Sequence, residues 1–164
     1  GRGRGGKEAA GGCRFVMAGE AAMRLREMFT LTLAQVDLAR KTIFLDKTKN
    51  GDKRQVPLSS VALQVLRDYL PHAAEGQLFP WWDGQQKTLP ATSDYLSKLF
   101  AAIFIQAGAQ SLRFHDLRHE ATSRLFERTR LTDLQIMRIT GHKSHRMLMR
   151  YANLRGSDLS EQLW

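Results

Sequence analysis

The 164-residue sequence predicts a mainly helical α+β fold with one small antiparallel sheet. Apolar residues recur at helical spacing in five stretches between residues 21 and 140. Only one strong hairpin signal is present, Asn50-Gly51 between two β-prone runs. A hydrophobic fraction of 43% suffices for a single packed core, while no apolar run reaches the roughly 18 to 20 residues that span a bilayer. With no apolar N-terminal stretch either, the expectation is a soluble, cytoplasmic protein without a membrane partner. Cys13 is the sole cysteine, which excludes an internal disulfide framework and a cysteine-based metal cluster.

Taken in order, Gly1 to Gly12 holds six glycines and almost no large apolar residue, so residues 1–14 are expected to form a disordered tail and residues 15–164 one folded domain. Ala21 to Leu31 reads as a helix on Met23, Leu25, Met28 and Phe29, with Arg24 and Glu27 on one face. Thr42 to Leu45 and Arg54 to Leu58 are the hairpin strands, with Lys49 at the end of a strand or on the turn. Pro57, which cannot donate to the ladder, is expected near a strand end or on an edge. Ser59 to Leu70 is helical with Val61, Val65, Leu66, Tyr69 and Leu70 sharing a face, and Ser93 to Ala107 with Leu96, Leu99, Phe100 and Ile103. The Pro71 to Pro90 interval, containing Trp81-Trp82, reads as a loop with one short strand at Leu78-Phe79. A helix is expected over Asp116 to Phe126. Another runs over Asp133 to Thr140, started by the capping box Thr132/Gln135 and stopped by Gly141. Ser144 and Ser157 then stand where each could cap a short final helix, the first running through Tyr151.

The formal charge of +9 points toward a polyanion, because Lys and Arg gain affinity by displacing counterions from phosphate. Arg2, Arg4, Lys7 and Arg14 against Glu8 place part of that charge in the tail, so the folded portion is moderately basic. Phe114 to His119 sets His115, Arg118 and His119 on one side of a helix. Two histidines four apart suit a metal, but no glutamate of a zinc-protease motif accompanies them, and Arg118 between them repels a cation. His142 follows the helix stop and reads equally as a cap or a site residue. Tyr151, nine residues on, reads by itself as a half-buried aromatic.

Taken together, these pieces resemble the tyrosine recombinases, or phage integrases, over roughly Ala22 to Leu163. Arg24-Leu25-Arg26-Glu27 is similar to the family's first arginine box and Lys49 to its hairpin lysine. His115-Asp116-Leu117-Arg118 is similar to the second box, Gly141-His142 to the third, and Tyr151 to the nucleophile. The resemblance implies the DNA breaking-rejoining enzyme fold and a site-specific recombinase acting on double-stranded DNA as a tetramer. The covalent link would be a 3′-phosphotyrosine, formed without metal, ATP or small-molecule cofactor.

In that scheme Arg24, Arg118 and His142 contact the phosphate, His115 assists deprotonation of Tyr151, and Lys49 protonates the departing 5′ oxygen. Glu27 orients the first box, while Arg113 and Lys143 position DNA by phosphate contacts. A phage, transposon or chromosome-resolution setting, near the bacterial nucleoid, is implied equally. A relaxing topoisomerase and a non-catalytic DNA-binding remnant are the alternatives. Two departures are visible: Ala22 stands where the family usually has glycine, and only about twenty residues precede Arg24, so a truncated N-terminal part without a core-binding domain is expected.

Overall fold

The computed structural model describes residues 12–13, 16–46, 53–73, 76–155, 160 and 163, with side chains left aside for 152–155. Five α-helices are bounded in it: α1 (Leu25–Phe29), α2 (Ser60–Tyr69), α3 (Leu89–Gln106), α4 (Phe114–Arg128) and α5 (Asp133–Thr140). Residues 12–13 and 16–21 are also helical. Three strands, β1 (Val36–Asp37), β2 (Thr42–Leu45) and β3 (Arg54–Pro57), form one antiparallel sheet in that order. A 3-10 segment, His145–Arg155, carries Tyr151. The mainly helical α+β fold is therefore as the sequence predicts.

The hairpin pairs in the register Thr42↔Pro57 through Leu45↔Arg54. Alternation along β2 buries Ile43 and Leu45 and exposes Phe44. Pro57 ends edge strand β3, where its missing N–H costs no ladder bond. Strand β1 has no sequence signal: two residues are too few for a period, and Asp37 is a poor strand former. Leu78-Phe79 does not form a strand. Gln77 makes a single bridge to Thr32, and the Leu78 N–H donates to Leu31 O at 2.8 Å.

Caps written in the sequence are present in the fold. The Ser59 hydroxyl accepts the Ala62 N–H at 3.2 Å to start α2. Thr132 and Gln135 cap each other at the head of α5, and Gly141 ends it at φ +76°, the left-handed conformation that suits glycine. Helix α3 begins before the expected Ser93, since Pro90 sits in the first turn, where its missing N–H has no intrahelical partner to lose. Helix α4 likewise starts two residues early, because the Asp116 carboxylate accepts the Arg113 N–H at 2.7 Å. Val61 is 51% exposed, and α2 instead buries Ala62, Leu63, Leu66 and Tyr69.

One further expectation is corrected. The continuous helix over Ala21 to Leu31 is broken at residues 22–24, where Ala22 takes φ +52° and α1 restarts after Arg24. Cys13 is 3% exposed in the main core. Burial there pushes its thiol up to about 12. Residues 1–11 lie outside the described residues.

The main core joins Met17, Met28, Ile43, Leu66, Phe79 and Phe100 under the sheet and helices. A smaller cluster of Phe126, Ile136, Leu148 and Tyr151 lies between α4, α5 and the 3-10 segment. Among the described residues no helix is long and apolar enough to cross a membrane.

Candidate active site

Arg24 owes its position to the break that sequence periodicity misses. Its extended backbone caps α1, and its N–H donates to Glu27 Oε1 at 2.8 Å. Glu27 is buried and also receives Arg54 of β3, which approaches both carboxylate oxygens, with Nη2 to Oε1 at 2.9 Å. Arg54 Nε in turn donates to Ile139 O at 3.0 Å, near the end of α5. One buried ion pair thus ties the Arg24 turn, the edge strand of the hairpin and the helix leading to His142. A Cβ on Gly141 would stand 2.8 Å from Arg54 Nη1, so glycine is required there for space as well as for φ.

Arg118, on the buried side of α4, is 3% exposed and donates to Ala22 O at 2.6 Å. The left-handed turn at Ala22 accompanies that bond, which spans 96 residues of sequence. Burial, then the neighbouring Arg24 charge, pulls the Arg118 guanidinium down to about 10, so it stays protonated at neutral pH. Two guanidiniums thus share one corner of the molecule, opened by two cavities. One, of about 700 Å³, is lined by Arg24, His142, Lys143, Lys53 and Arg138, with Phe44, Leu134 and Met137 as its apolar wall. The other, of about 600 Å³, is lined by Arg24, His115, Arg118 and Arg113. Arg24 borders both.

His142 contacts Thr140, Nδ1 to Oγ1 at 2.6 Å, while the same hydroxyl can donate to Ile136 O at 3.0 Å. The direction of that hydroxyl proton selects the imidazole tautomer. Turned to Nδ1, it leaves Nε2–H as the free donor. Partial burial, then the charges of Arg118 and Arg24, lowers His142 to about 4, leaving it neutral at pH 7. His115 is lowered by burial and then by Arg118.

Tyr151 is 4% exposed, its ring stacked on Phe126 at 5.6 Å between centroids. It lines neither cavity. Its hydroxyl lies 2.7 Å from His119 Nδ1, whereas the sequence resemblance assigns that contact to His115. His115 packs edge-on behind His119 with ring centroids 4.3 Å apart. A Tyr151 phenolate is close enough to Arg118 to favour its charged form, which couples the tyrosine to the arginine corner.

Arg24, His115, Arg118, His142 and Tyr151 are therefore brought to one side of the molecule, with Glu27 beneath. Arg113 and Lys143 lie at the rims of the two cavities. Lys49 lies outside the described residues. Sequence reasoning misses His119 and Arg54. The HxxRH spacing contained a signal for His119, one turn from His115, but nothing local distinguished Arg54 from a solvated strand residue. Among the described residues no group of three or more His, Cys, Asp or Glu side chains is placed to hold a metal ion.

Known proteins resemble the chain in sequence and in fold. The profile of the phage integrase family matches residues 10–157. The chain is 36% identical over 149 residues to a shufflon-specific DNA recombinase of Escherichia coli, covering 91% of this chain and 36% of that protein. It thus spans a little over a third of that relative's length. In structure it is similar to the XerA recombinase (TM-score 0.71, 20% identity, 98% of this chain and 61% of the other). It is also similar to the catalytic domain of bacteriophage HP1 integrase (TM-score 0.59, 26% identity, 91% and 77%).

Proposed function

The chain belongs to the phage integrase family, and from that membership we propose that it is the catalytic part of a site-specific DNA recombinase. In this reading it cleaves and rejoins double-stranded DNA through a 3′-phosphotyrosine at Tyr151, within a synaptic tetramer. The observation that carries the reading is the paired guanidiniums of Arg24 and buried Arg118, at an open corner beside neutral histidines.

A phosphodiester repels nucleophiles because its non-bridging oxygens are negative, and that charge grows in the pentacoordinate transition state. Arg24 and Arg118 meet it with planar forks that donate paired hydrogen bonds while staying protonated. Loss of one such donor in a dry site costs about 3 to 4 kcal/mol of transition-state stabilisation. His142 donates through Nε2–H when Thr140 turns its proton to Nδ1. Lys53, Arg113, Arg138 and Lys143 surround the corner with positive charge suited to flanking phosphates. Tyr151 Oη attacks phosphorus, the bond from phosphorus to the 5′ oxygen breaks, and Lys49 supplies that oxygen with a proton. Because the phenol is a good leaving group, a DNA hydroxyl reverses the step with the bond energy retained.

The test is covalent capture. The chain is incubated in EDTA with nicked duplexes of random sequence around the nick, so that the cleaved oligonucleotide diffuses away and any adduct persists after denaturation. Wild type is expected to yield a protein-DNA adduct at residue 151 and Tyr151→Phe none. Equal labelling of the phenylalanine variant, or no adduct from wild type, removes the reading.

A further inference from the structure

We propose that His119 is a catalytic residue: the imidazole that takes the proton from Tyr151 as the phenol oxygen attacks phosphorus. The inference rests on the recombinase reading and deepens it. Its starting point is the 2.7 Å contact of Tyr151 Oη with His119 Nδ1, between side chains 32 residues apart.

The Tyr151 ring is fixed in rotation by stacking on Phe126 with 14° between planes, so its hydroxyl points in one direction, and His119 stands there. Proton transfer requires the contact in which the Tyr151 hydroxyl donates, with Nδ1 as the bare nitrogen and Nε2 carrying the ring hydrogen. His119 faces His115, Arg118 and Asp116 from α4 and Arg150 and Tyr151 from the 3-10 segment. Partial burial first, then His115 and Arg150, lowers it, which keeps the imidazole neutral at pH 7. Arg150 Nη1 lies 3.2 and 3.3 Å from the two ring nitrogens, and its guanidinium also sits over the Tyr151 ring, 5.6 Å from the centroid.

The step balances. The Oη–H bond breaks, its proton passes to His119 Nδ1, and Oη uses the released pair to bond phosphorus as the 5′ oxygen departs. Transfer from a phenol to a neutral imidazole is uphill at rest, and becomes favourable only as Oη loses electron density to phosphorus. In the reverse reaction the imidazolium returns the proton to the departing phenol. His115 supports the His119 ring edge-on rather than touching the nucleophile.

The duplex recovered from covalent capture with wild type serves as the probe. His119→Phe removes the acceptor, and His119→Asn retains a hydrogen-bonding oxygen that cannot carry a proton. Each is expected to lose about 10² to 10⁴ in cleavage rate at pH 7 while binding the duplex within about twofold of wild type, read by fluorescence anisotropy. The wild-type rate rises with pH through the lowered histidine pKa and then levels. The variants' rates keep rising about tenfold per unit where wild type has levelled. Recovery of wild-type rate by asparagine, or a wild-type plateau in either variant, overturns the proposal. A second measurement needs no substitution: ¹⁵N shifts of the wild-type histidines at pH 7 should show His119 protonated at Nε2 only. An Nδ1–H tautomer also overturns it. If wild type forms no adduct, the recombinase reading itself has failed, whatever the tautomer.

Discussion

At the scale of single residues the molecule accepts local costs where a distant partner compensates them. Ala22 occupies a left-handed conformation that costs a non-glycine residue roughly 1 to 2 kcal/mol. Its carbonyl is thereby turned to Arg118, and its methyl is fully buried. A glycine there would relieve strain but would lose about 0.8 kcal/mol of methyl burial and add unfolded-chain entropy, so alanine is tolerated. The histidines carry a second cost. His115, His119 and His142 all have folded pKa values below the ordinary 6.5 or so, His142 down to about 4. In each case the unfolded chain binds the proton more readily, so their contribution to stability is complete above the ordinary histidine pKa and is lost as pH falls through the folded values. Urea midpoints are expected to decline steadily from pH 7 to pH 4.5, and His142→Gln should flatten that decline. A slope unchanged in the glutamine variant would remove His142 as its cause.

At the scale of elements, the Glu27–Arg54 pair joins pieces that local pattern cannot connect. It links α1 to β3 across 27 residues, and Arg54 reaches α5 across 85. Both side chains are buried, so removing one strands the other's charge, a loss of about 3 to 5 kcal/mol. Arg54→Leu is therefore expected to be strongly destabilised in denaturant unfolding. The double replacement Glu27→Leu with Arg54→Leu should recover much of the loss, because no unpaired charge remains. A double variant as unstable as the sum of the singles would mean that the pair is not coupled. Helix α5 shows the contrasting case. Thr132, Gln135 and Gly141 lie within or just beyond the helix they bound, and its limits are read from sequence without error.

For the molecule as a whole, two apolar clusters of unequal size divide the work. The main one holds α2, α3 and the sheet, and the smaller holds Tyr151 with Phe126, Ile136 and Leu148. With less apolar area to lose, the smaller cluster should open first. Native-state hydrogen exchange is expected to show lower opening free energies for residues 133–155 than for α2 and α3, and equal protection would contradict it. The sequence by itself determined the mainly helical class, the two strands of the hairpin, the caps and stop of α5, and the identity of the charged and nucleophilic side chains. Those features depend on residues within a few positions of one another, where backbone sterics and hydrogen-bond reach decide the outcome. Only the tertiary structure decided that the Arg24 helix breaks at Ala22, that Arg54 sits under Glu27, and that His119 rather than His115 meets Tyr151. His115 and His119 lie one turn apart on the same helix face, so helical spacing makes them equivalent. The choice between them belongs to the packing of the 3-10 segment against α4, which stacks Tyr151 on Phe126 and thereby aims its hydroxyl.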